Sequence, residues 1–182
     1  FMVRVIEMAI EELGEPPCKF AFMVMGSEGR MEQTLTTDQD NAIVYENLNK
    51  QNEQTVNSYF RLLAEFVSKN LNAIGYNFCI GDIMGTNQKW RQPLDRWKSY
   101  FTNWLNTPDP QSILDSSIFF DFRYVYGDQS LIEQLRNHIH KSIDNKPIFF
   151  YHLAHAVLKF KPPVSIFGNI ISEDRADEIQ HL

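Results

Sequence analysis

Two aspartates one residue apart, Asp38 and Asp40, stand directly before a short apolar run, Asn41 to Tyr45. If that run is a strand, side chains at i and i+2 share a face, so the two carboxylates lie side by side. They repel each other unless a cation joins them. Hard oxygen donors favour magnesium, which takes one or two carboxylates together with phosphate oxygens. Gly26-Ser27, separated from Asp38 by ten intervening residues, follows the apolar run Lys19 to Met25. A strand ending there and a helix starting there would present free backbone N–H groups and the positive end of a dipole, which suits phosphate. Gly26 lets a ligand approach the backbone closely and Ser27 adds a hydroxyl donor. Arg30 offers a charged fork to the same phosphates. Asp82 falls in a third candidate strand. Beside the second strand it would complete a three-acid cluster able to hold two metal ions, one activating an attacking oxygen and one steadying a leaving pyrophosphate. Equally, Asp82 caps the turn after Gly81.

The elements that must carry these residues follow from periodicity. Residues 2–13 show helical apolar spacing and meet Gly14 and Pro16-Pro17 as stops. Lys19 to Met25 and Asn41 to Tyr45 read as buried strands, Ser27 to Gln33 as a short helix, and residues 52–72 as a long amphipathic helix stopped by Gly75. Tyr76 to Met84 reads as a third strand, with Gly81 as an irregularity. Residues 93–105 form a helix with Pro93 in its first turn. Thr107-Pro108-Asp109-Pro110 is the candidate boundary, giving a first domain over 1–107 and a helical region over 108–182. The second part would hold helices at about 111–126, 129–144 and 147–160, with Gly127 and Asp128 as stop and N-cap between the first two. The expected fold class is α+β: a small mixed β-sheet flanked by helices, then an α-helical region.

Composition narrows the function classes. The chain has 182 residues, 43% apolar and 13% aromatic, enough for a well-packed core. The formal net charge of −6 argues against general nucleic-acid binding, which needs a basic surface. A small anionic substrate held with metal ions stays compatible. Two cysteines, Cys18 and Cys79, are too few for a disulfide framework or a zinc site and point to a reducing, cytoplasmic compartment. No run reaches the ~18 apolar residues of a membrane span. A first residue Phe and a final charged run read as a fragment of a longer protein.

Several residues carry ordinary structural readings. Glu28 reads as surface, and Arg30 and Glu32 as an exposed helix face. Asp121 and Arg123 sit among aromatics, where a buried ion pair is at least as good a reading as nucleotide contact. His152 and His155 share a helix face, but without acid or thiol partners in sequence they read as packing residues. Trp90, Trp97 and Trp104 read as core, and both cysteines as small buried apolar residues.

The longer run GSEGRMEQTLTTDQDNAIVY, with CIGDIMGTNQKWRQPLDRW and IFFDFRYVYGD, resembles the DNA-polymerase-beta-like nucleotidyltransferases. It is most similar to a bacterial family of signal-transduction nucleotidyltransferases that carry CBS or cyclic-nucleotide-binding sensor domains upstream. That family is itself similar to the uridylyltransferases and adenylyltransferases that modify PII protein and glutamine synthetase. The resemblance implies a nucleotidyltransferase fold, with Gly26 and Ser27 on nucleotide phosphates and Asp38 and Asp40 on magnesium. Asp82 is implied as third acid through one Gly-Asp pair. Phe120-Asp121-Phe122-Arg123 is similar to a Leu-Asp-Ala-Arg segment near the uridylyltransferase nucleotide site, although Phe replaces the small residue. Two function classes follow: an enzyme moving a nucleoside monophosphate from a magnesium–triphosphate complex to a hydroxyl on a protein or small molecule, or a catalytically silent nucleotide-binding regulatory module.

Overall fold

Two runs of five residues, Phe20–Val24 (β1) and Asn41–Tyr45 (β3), are buried at every position. Such continuous burial requires cover on both faces of a sheet. A computed structural model describes residues 1–33, 38–48, 52–106, 117–144 and 146–159, without the side chains of 152 and 155–159. In it β1 and β3 are the two central strands of a four-stranded mixed sheet of order β5-β3-β1-β6. β1 runs antiparallel to β3, with Phe20 opposite Tyr45 and Val24 opposite Asn41. On its other side β1 pairs antiparallel with β6 (Arg123–Gly127), and β3 pairs in parallel with β5 (Arg91–Pro93). Asp38–Gln39 (β2) and Asn77–Phe78 (β4) form a separate two-stranded parallel pair.

Strand alternation sorts the core into two layers. Phe20, Phe22, Ile43 and Tyr45 face helices α1 (Met2–Leu13) and α3 (Glu53–Ala73). From α3 come Val56, Phe60, Leu63, Ala64, Val67 and Leu71, one helical stripe. Ala21, Met23, Ala42 and Val44 face the other way, toward α4 (Leu94–Asn106) and α5 (Gln129–Ile143). Trp97 is fully buried there, and its indole N–H donates to the Ile43 carbonyl at 3.1 Å, tying α4 to β3. Trp90 and Trp104 pack in the same layer, so the three tryptophans are core. A last helix, α6 (Pro147–Lys159), sets Phe149 against Leu105 of α4. The side chains of His152 and His155 lie outside the described residues. Among the described residues no helix is long and apolar enough to cross a membrane.

The expected class, α+β with a small mixed sheet between helices and more helices after it, is what the fold shows. Four local expectations change. The helix expected over 111–126 gives way to β6 at Arg123–Gly127, preceded by helical residues at 117–120; residues 111–116 lie outside the description. One edge of β1 would otherwise carry unpaired amides and carbonyls, and the Tyr-Val-Tyr run suits a strand. The sheet therefore takes its fourth strand from beyond residue 107. Tyr76 to Met84 pairs only at Asn77–Phe78 and then turns. The helix expected over 27–33 is confined to Gly26–Gly29 (α2), since Met31 turns to a positive φ of 60°. Pro93 ends β5 at the sheet edge, where a missing N–H costs little, and the helix starts at Leu94. Asp128 caps α5 as expected, accepting from the Ser130 N–H at 2.9 Å.

Candidate active site

Where β1 ends, the Met25 N–H donates to the Asp40 carbonyl at 2.9 Å, so the turn that follows Met25 abuts the second aspartate. Gly26 takes φ +58°, and a Cβ there would stand 2.9 Å from Ile118 Cγ1 and 3.3 Å from Asp40 Oδ2. Both a side chain's conformation and its bulk are thus excluded at the position nearest the acid. The four-residue α2 starts here with Ser27 half-buried. Its first amides have no partner within the turn.

Asp38 and Asp40 converge as their i, i+2 spacing predicts. One carboxylate oxygen from each, together with the Cys79 sulfur, lies within a span of 4.8 Å. Gln39 points the opposite way, buried, with its amide donating to the carbonyls of Ser68 at 3.0 Å and Tyr76 at 2.8 Å. This clamp fixes the face on which the two acids lie. Asp40 is only 8% exposed, and its Oδ1 is buried with no hydrogen-bond partner. Burial raises its pKa above the usual carboxylate value, the Cys79 thiol opposes that through a hydrogen bond, and the Asp38 charge adds to it. An orphaned carboxylate oxygen in a two-acid group is the donor chemistry that a hard divalent ion satisfies.

The other residues singled out from the sequence collect around α2. Arg30 pairs with Glu32 at 2.7 Å and with Asp121 at 2.6 Å. Arg123 donates from Nη2 to the Glu28 carbonyl at 3.1 Å, while its Nε is buried without a partner. The expected ion pair between Asp121 and Arg123 is therefore replaced by two separate contacts, each reaching α2. Gly29 is the contact point: a Cβ there would sit 1.8 Å from the Asp121 carbonyl oxygen.

Asp82 is not brought into the acid group. It lies exposed in a turn with φ 54°, its carboxylate accepts from Asn87 Nδ2 at 2.8 Å, and its carbonyl accepts from the Trp90 indole at 3.0 Å. Cys79 stands near the acids instead. The β2–β4 pairing sets Gln39 opposite Phe78, and the next step along that parallel register brings Asp40 beside Cys79. Its thiol is pushed up to about 12, by burial first and then by its hydrogen bond to Asp40.

Sequence reasoning placed Glu28 on the surface, and the structure corrects this. Glu28 is 8% exposed with Oε2 unpartnered. Burial pushes its pKa up to about 7, against the opposing charge of Arg123 and with the added repulsion of Asp40; a hydrogen bond from Gln33 also opposes the rise. The signal available in sequence was the small residues Gly26, Ser27 and Gly29 around it, which permit close approach of other chain segments. The clefts lined by Lys19, Glu46 and Asp128 lie at the opposite end of β1 and contain none of these residues.

No curated protein matches the chain. A family model does, over residues 1–111, a stretch that holds the Gly26 turn, Glu28, both converging aspartates and Cys79 and stops short of Asp121 and Arg123. With that match across more than half its length, the chain belongs to the family described as "Putative nucleotidyltransferase DUF294".

Proposed function

We propose that the chain binds a nucleoside triphosphate with magnesium and transfers the nucleoside monophosphate to a hydroxyl on a protein or small-molecule acceptor, with pyrophosphate leaving. One observation carries the reading. Asp40 stands beside Asp38 with its Oδ1 buried and unpartnered and its Oδ2 against the Gly26 turn. Asp38 and Asp40 would hold magnesium, which when bound offsets phosphate charge and eases deprotonation of the attacking hydroxyl.

The chain's own residues position the substrate. Gly26 and Ser27 give phosphates access to backbone amides at the end of β1, and the Ser27 hydroxyl adds a donor. Arg30 supplies a guanidinium that Asp121 already orients. Arg123 holds α2 in place through the Glu28 carbonyl. Asp82 enters as the anchor of its turn rather than as a metal ligand. Catalysis in such a site is positioning and charge stabilisation more than covalent chemistry by the protein. An acceptor in a bacterial signalling pathway, with sensor domains upstream, follows the resemblance of the motifs.

Incubation of the protein with labelled triphosphates, magnesium and cell extract tests this. Label on an acceptor that disappears in Asp38→Asn/Asp40→Asn supports transfer. Equal labelling by that variant refutes it.

A second reading has one observation in its favour: among the described residues, no third carboxylate joins Asp38 and Asp40. A nucleotide-binding regulatory module needs binding but no turnover. Calorimetry with magnesium and several triphosphates separates the two, since tight binding without pyrophosphate release favours the module.

A further inference from the structure

The geometry points to Cys79 as a third ligand of the metal centre, making an Asp38–Asp40–Cys79 site that prefers a zinc-type divalent cation to magnesium. The inference rests on the metal-binding reading of Asp38 and Asp40. Three features support it. First, the two carboxylate oxygens and the Cys79 sulfur lie no more than 4.8 Å from one another. Ligands about 2.0 to 2.3 Å from one tetrahedral zinc ion stand roughly 3.3 to 3.8 Å apart, so side-chain adjustments of about 1 Å close the site. Second, Asp40 is more than nine-tenths buried, and its Oδ1 has no hydrogen-bond partner, an unmet demand that a cation fulfils. Third, Cys79, the residue directly after β4, is buried, yet among the described residues it belongs to none of the apolar clusters.

The chemistry of the set then decides the ion. Two carboxylates alone suit magnesium, which has little affinity for sulfur. Adding a thiolate shifts preference toward borderline ions such as zinc, because soft ligands select soft metals. On ligation the Cys79 sulfur gives its proton to solvent and binds as thiolate. Bound at Asp38 and Asp40, such an ion also leaves coordination positions for phosphate oxygens.

Cadmium is the probe, because a sulfur–cadmium bond produces charge-transfer absorption in the ultraviolet. The parent protein is Cys18→Ser, so that Cys79 is its one thiol. The expected result is a charge-transfer band on cadmium addition, lost in Cys18→Ser/Cys79→Ser. Cadmium affinity by calorimetry should fall at least about tenfold in that double variant, as expected for loss of a direct ligand. Magnesium affinity should stay within about twofold, since magnesium does not use the sulfur. Absence of the band in the Cys18→Ser protein at cadmium saturation overturns the inference, whether or not the double variant folds. So does equal cadmium affinity in the two proteins. An Asp40→Asn control separates the two levels. If magnesium binding depends on Asp40 while cadmium shows no sulfur band, only the Cys79 assignment falls. If Asp40→Asn leaves both ions bound as before, the metal reading of the two aspartates falls with it.

Discussion

Glu28 sets a pH dependence that one substitution isolates. Its carboxyl is buried on α2, with Arg123 the nearby cation and Asp40 the nearby anion, and burial pushes its pKa from 4.5 up to about 7. In the unfolded chain it titrates near its ordinary value. Between those pH values the folded state binds a proton that the unfolded state has lost, so stability falls as pH rises through this window. The full difference corresponds to about 3 kcal/mol at about 1.4 kcal/mol per pH unit. Partial solvent screening of the group lowers the expected effect to about 2 kcal/mol. Glu28→Gln keeps the volume and removes the titration. Urea denaturation in chelator-treated buffer, at a pH near 5 and again near 8, gives the comparison. The Gln variant should differ little from the parent at the lower pH and exceed its stability by about 2 kcal/mol at the higher. A difference that does not change with pH refutes the reasoning. A parent that gains on the variant as pH rises shows instead that attraction to Arg123 outweighs burial.

Gly29→Ala forces a methyl to within 1.8 Å of the Asp121 carbonyl oxygen, so α2 and the segment leading into β6 must separate. The expected loss is about 2 to 3 kcal/mol in urea unfolding, and an unchanged midpoint would contradict the packing described. Trp97→Phe removes the 3.1 Å bond to the Ile43 carbonyl and opens space at a fully buried position, a loss of about 2 kcal/mol in the same assay. Arg30→Ala breaks exposed ion pairs to Glu32 and Asp121, so stability should change by less than about 1 kcal/mol. Calorimetry should show triphosphate binding weakened at least about tenfold, because a charge-assisted contact to phosphate is lost. The reverse pattern, with stability lost and binding kept, would make Arg30 purely structural.

The acids were legible in the sequence because their geometry is local. A spacing of one residue before an apolar strand fixes a shared face whatever the rest of the chain does. The long-range contacts were not legible. Glu28 is buried because Asp121 and Arg123 reach α2 from some ninety positions further along the chain, as the bonds from Arg30 and Arg123 show. Nothing around Glu28 encodes that approach except the small residues that permit it. The aromatic stretch leading into β6 hid its secondary structure for a related reason. Its strand is only half-buried and contains no clean alternation of polar and apolar residues, so periodicity could not separate strand from helix. Asp82 misled because Gly81-Asp82 looks like an irregularity within a strand. Asp tolerates the left-handed backbone it adopts, and in that turn its carboxylate is held by Asn87 instead of joining the acids.

The same distinction explains why the Gly-Ser turn and the Asp-x-Asp pair meet. Their separation along the chain does not position them; strand register does. Once β1 and β3 pair antiparallel with Val24 opposite Asn41, the residue after Val24 and the residue before Asn41 become neighbours, and the Met25–Asp40 backbone bond closes the ladder. Gly26 and Asp40 are then in contact regardless of the path taken between them. The register requires a glycine, since position 26 has a left-handed φ and open space on neither the Ile118 nor the Asp40 side. It also requires the clamp at Gln39. Turning that residue outward would rotate both carboxylates away from the turn, even with every strand pair of the main sheet intact.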